Sequence, residues 1–139
     1  MARSAPAWRS LPVAAAALLG SLTLAACGGS GAPQRPLTHA QLLIVSPRPN
    51  EVTGPDVTLQ FQVIGGTVVP PAQVTGPIRG DQGHIHVALD GKLVQMAYST
   101  RAELTALSPG VHSVRASWVA TDHLPFRNLV VAAVLFSVR

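Results

Sequence analysis

The sequence contains one cysteine, Cys27, in 139 residues. No disulfide can form within the chain, so the fold must stand on packing alone. Charge is scarce, with only 12% Asp, Glu, Lys and Arg, and aromatics make up 4%. The pI near 10.7 exaggerates the basic character, because Arg3 and Arg9 lie in an N-terminal leader. Without them eight basic residues face six acidic ones, scattered singly from Arg35 to Arg139. A basic stripe interleaved with aromatics is missing, which argues against nucleic acid as a partner. Paired carboxylates are missing too: Asp81, Asp90 and Asp122 sit in turn-like stretches where Asp is favoured for backbone reasons, which argues against glycosidase chemistry. Ser108 and Ser113 flank His112, yet neither stands in the strand-to-helix elbow of a nucleophilic serine. Gly28-Gly29-Ser30-Gly31 lacks the lysine of a phosphate loop. The reading is of a chain without catalysis of its own.

Long apolar stretches occur only at the start. Met1 to Ser10 carries Arg3 and Arg9, and Leu11 to Ala26 is uncharged and rich in Ala and Leu. That is the layout of an export signal, and the run is short for a membrane span. It ends in Leu24-Ala25-Ala26-Cys27, followed by Gly28-Gly29-Ser30-Gly31. This segment resembles the lipobox of bacterial lipoproteins. The resemblance implies that residues 1–26 are removed and that the Cys27 thiol receives a lipid. It also implies that the mature chain is anchored to the cell membrane or outer membrane, facing the periplasm or cell exterior. Two or more acyl chains would anchor it stably. Residues 27–40, rich in Gly, Ser and Pro and holding Arg35 and His39, read as a flexible tether.

From residue 41 to 139 short apolar runs are cut by Pro and Gly, with no sustained helical period, which predicts an all-β domain. Val57, Leu59, Phe61 and Val63 alternate with polar residues as in a half-buried strand. Gly83 to Leu89 and Lys92 to Tyr98 flank Asp90-Gly91, a hairpin signal. Leu42 to Ser46, Ala102 to Leu107, Val111 to Ala120 and Asn128 to Val138 complete about seven strands, the count of an immunoglobulin-like two-sheet β-sandwich. The chain also resembles small secreted Ig-like domains of bacteria. That likeness is carried by Ser46-Pro47-Arg48-Pro49, Gly83-His84-Ile85-His86-Val87, Leu107-Ser108-Pro109-Gly110-Val111-His112 and Asp122-His123-Leu124-Pro125-Phe126.

Histidine is the common metal ligand, and four lie in the later half: His84, His86, His112 and His123. His84 and His86, two apart on a strand, project from one face. If Ile85, Val87 and Leu89 fill the core, the two histidines are on the outer side. His112 shares parity with Val114, Ala116 and Trp118, which turns it inward, away from that pair. There it suits the corner position of an Ig-like sandwich, whose polar tip bonds to nearby backbone. Two functions are compatible with these residues. One is a binding or interaction module with an envelope protein as partner. The other is a copper or zinc protein using His84, His86 and His123, with Asp122, His112 and the soft ligand Met96 as further donors. Structural roles without metal are the competing reading for each histidine. The last strand is apolar on both faces, so Leu129, Val131 and Leu135 form a candidate interface.

Overall fold

The computed structural model describes residues 34–70 and 76–139, so the leader, Cys27 and the first part of the tether lie outside the described residues. The described residues form strands β1 (Gln41–Ser46), β2 (Val52–Thr53), β3 (Val57–Ile64), β4 (Thr67–Val68), β5 (Gln82–Leu89), β6 (Lys92–Ala97), β7 (Arg101–Leu104), β8 (Gly110–Val119) and β9 (Pro125–Val138). One sheet has the order β1-β3-β7. The other runs β2-β9-β8-β5-β4, with β6 also paired to β5. The expected immunoglobulin-like β-sandwich is therefore the observed architecture.

Alternation explains how the layers meet. Leu42, Leu59, Phe61, Ala102 and Leu104 from the small sheet pack on Ile85, Val87, Val114, Ala116, Trp118, Val134 and Phe136 from the large one. Residues between them in sequence point the other way, so each strand supplies one apolar row to a shared core. Fully burying an aliphatic side chain of this kind is worth about 1.5–3 kcal/mol. Trp118 stacks on Phe126 at a centroid distance of 6.4 Å.

Within the large sheet β5 lies between β8 on one side and β6 with β4 on the other. A Cβ at Gly83 would collide with the Val119 carbonyl and crowd the Trp118 ring. This close approach presses the start of β5 onto β8 and sets His84 opposite Val119 and His86 opposite Ser117.

Two sequence expectations need correction here. The tether does not run free to residue 40: Thr38 and Ala40 are buried, and the Asn128 amide donates to the Thr38 carbonyl and accepts from its N–H, both at 2.9 Å. Composition cannot reveal this, because the partner is 90 positions away. The strand expected from Ala102 to Leu107 ends at Leu104, and the last strand begins earlier, at Pro125.

Candidate metal centre

The outer face of the large sheet carries His84 and His86, as strand parity requires. His84 is nonetheless completely buried. Tyr98, just past β6, lays its ring 5.0 Å from the His84 ring, and His123 meets it edge-on at 4.6 Å. His84 Nε2 lies 3.1 Å from His86 Nε2 and 3.0 Å from His123 Nδ1. One nitrogen from each ring falls within 4.8 Å of the others.

His123 reaches this point from the loop between β8 and β9. Its backbone is left-handed (φ 65°), and its N–H donates to the Ala120 carbonyl at 3.0 Å, closing a tight turn. Arg35 clamps that turn from outside. Its guanidinium donates to both Asp122 oxygens, at 2.7 and 2.9 Å, and to the Leu124 carbonyl at 3.0 Å. A bidentate pair of this kind fixes geometry as well as charge. The Asp122 carboxyl is held below its usual range mainly by the Arg35 hydrogen bonds.

Electrostatics keep the His84 and His86 rings neutral. Burial, reinforced by the proximity of His86 and His123, pushes His84 down to about 4. Burial, then His123, lowers His86 as well. Neutral imidazole is the form that ligates metal, so binding at neutral pH displaces no proton from these two rings.

The described residues leave the hydrogen-bonding capacity of His84 incompletely met. A neutral His84 carries one ring proton. If that proton is on Nε2 it serves only one of two nitrogens about 3 Å away. If it is on Nδ1, it points at a buried position where no partner exists among the described residues. His84 Nδ1 stays unpaired in either tautomer, at a cost of about 1–3 kcal/mol, and a cation on Nε2 would relieve only the crowding at Nε2. With a metal bound at ~2.0–2.1 Å in tetrahedral geometry, neighbouring nitrogens stand about 3.3 Å apart, close to the two short separations here. Imidazole donors suit zinc and copper alike, and three protein ligands leave a fourth position open.

The other sequence candidates fall outside this cluster. His112 faces the opposite side of the sheet. Its Nδ1 meets Asp90 Oδ2 and its Nε2 meets the Ser108 carbonyl, both at 2.8 Å. The Ser108 carbonyl first, and Asp90 second, raise its pKa. With both nitrogens committed to the corner, it cannot be a ligand, and strand parity is the reason. Asp122 also stands apart from the three rings, with both of its oxygens paired to Arg35. Met96 sits directly across from His86, with its sulfur accepting the Tyr98 hydroxyl at 3.6 Å, so it flanks the cluster. Leu129, Val131 and Leu135 are 71%, 38% and 54% exposed on the same outer face. Sequence reasoning missed Arg35 and Tyr98. The only signal for Arg35 was a lone charge in a Gly/Pro-rich stretch.

No family model matches the chain, and no curated protein matches it. Among solved structures it is similar to the fibronectin(III)-like modules of Clostridium thermocellum CbhA, with a TM-score of 0.50 and 16% identity over 70% of this chain and 94% of that one. It is also similar to a Jonesia denitrificans lytic polysaccharide monooxygenase, with a TM-score of 0.44 and 18% identity over 67% and 60% of the two chains. The first likeness agrees with an Ig-like sandwich and speaks to fold alone, since function lives in the site.

Proposed function

We propose that the protein is a lipid-anchored binding module of the bacterial cell envelope, without catalysis of its own, whose cluster of His84, His86 and His123 holds a copper or zinc ion. The observation that carries the metal reading is the convergence of His86 Nε2 and His123 Nδ1 on His84 Nε2, at 3.1 and 3.0 Å, in neutral, partly buried surroundings. Two ligands seldom make a tight site, and the third, from a clamped loop, supplies what the strand pair lacks. Anchoring rests on the leader and on Leu24-Ala25-Ala26-Cys27. An exported site of this kind suits an envelope compartment, because the lone thiol would be consumed by the lipid and the remaining donors are imidazoles.

The test uses protein purified from bacterial membranes, equilibrated with zinc or copper and assayed for bound metal by mass spectrometry. A single ion per chain, lost when His84→Ala and His86→Ala are combined, is the expected result. Absence of stoichiometric uptake at micromolar metal, or uptake unchanged in the double variant, ends the metal reading. Intact-mass analysis of the same protein tests the anchor: an unprocessed leader without lipid mass ends that part.

A further inference from the structure

A groove of about 440 Å³ opens beside the histidine cluster on the outer face of the large sheet. His86 and His123 form one end, Arg115 stands further along, and Leu93, Leu129 and Val131 make the wall. The register explains the arrangement. His86, Ser117 and Val131 form one rung across β5, β8 and β9, and Ala88, Arg115 and Ala133 form the next rung on the same face. Such rungs are about 7 Å apart along a strand. Ala88 and Gly91, also lining the groove, take up little space in it. From this groove and cluster we infer that the site binds a small organic monocarboxylate with an apolar tail, its headgroup held between the bound metal and Arg115. The inference rests on the metal reading of the three histidines.

Three observations select that chemistry. The groove has the size of a ligand site, apolar with a few convergent polar groups. Its only fixed charge is Arg115, which makes no salt bridge among the described residues, and no Asp or Glu lines the groove. A metal with an open fourth position would add positive charge at the other end. An anionic headgroup complements both, and an Arg fork fits a carboxylate oxygen pair. The exposed wall, with Leu93 at 53% and Leu129 at 71%, gives a bare inorganic anion nothing to gain, whereas an alkyl chain laid on it gains about 25 cal/mol per Å² of apolar surface covered. A neutral apolar molecule would draw nothing from the exposed guanidinium.

The zinc-loaded full protein, purified in mild detergent, is titrated calorimetrically with pentanoate, pentanol and acetate. Pentanoate is expected to bind about tenfold or more tighter than either comparison ligand, because each lacks one of the two recognition elements. Arg115→Gln should weaken pentanoate by about tenfold at unchanged zinc stoichiometry, the loss of a charge-assisted pair. Leu129→Ser should weaken pentanoate and leave acetate unaltered. Pentanoate binding no tighter than pentanol or acetate, or insensitive to Arg115→Gln while zinc stays bound, overturns this inference and leaves the metal reading intact. Failure of the protein to take up zinc overturns both.

Discussion

His84 and His112 sit on two neighbouring strands of one sheet, yet their surroundings drive them in opposite directions. His84 meets other imidazoles and a phenol ring, with no acceptor at Nδ1 among the described residues, and its pKa falls to about 4. His112 meets a backbone carbonyl and a carboxylate, both at 2.8 Å, and its pKa rises. The difference lies in what faces each ring. Hydrogen-bond acceptors at both nitrogens favour the imidazolium and build a corner. Lone pairs converging on one point disfavour a proton and favour a metal.

The largest expected effect separates the two sites outright. Combining His84→Ala with His86→Ala should weaken zinc by about a hundredfold or more, while His112→Ala leaves metal stoichiometry unaltered. Equal losses in both variants, measured by equilibrium dialysis, would dissolve the distinction between ligand and corner.

Acid should act on the two sites with opposite sign. For His84 the unfolded chain binds a proton near pH 6.5 and the folded chain only near 4. The metal-free fold therefore loses stability as pH falls from about 6.5 to 4, by about 2–3 kcal/mol from this group. Denaturant unfolding across that window should show the slope, and His84→Gln should flatten it. His112, with its raised folded value, contributes stability that is complete below pH 6.5 and fades as pH rises through that value. The deficit of a His112→Ala variant should accordingly narrow toward alkaline pH.

At pH 6, removing the corner with His112→Ala should cost about 1–3 kcal/mol, because Asp90 and the Ser108 carbonyl lose their shared donor. Thermal melts that match wild type within a few tenths of a kcal/mol would reduce the corner to a decoration.

The smallest effect concerns the clamp. Arg35→Ala should weaken zinc about three- to tenfold by freeing the turn that presents His123, with little change in global stability. Lys at position 35 should restore only part, since it cannot make the bidentate pair.

Local pattern carried much of the architecture. Alternation through Val57, Leu59 and Phe61, and the Asp90-Gly91 turn, was enough to lay out the sandwich. The parity of His84 and His86 against His112 was readable from Ile85, Val87, Val114 and Trp118. What pattern could not carry is distance in sequence. His123 joins the cluster because a loop folds back over the end of β8, and no periodicity encodes that. The outward parity of His84 suggested exposure, but the Tyr98 and His123 rings cover it. Arg35 and Asp122, 87 positions apart, looked like tether and turn residues because each was judged by its neighbours alone.

The left-handed backbone at residue 123 narrows the alphabet available there. Glycine, asparagine, aspartate and histidine tolerate such a conformation better than branched or bulky side chains. Of these four, histidine alone combines tolerance of the turn with a neutral imidazole donor, so a thiolate variant of this site would replace a strand ligand, His84 or His86, and leave the turn as it is.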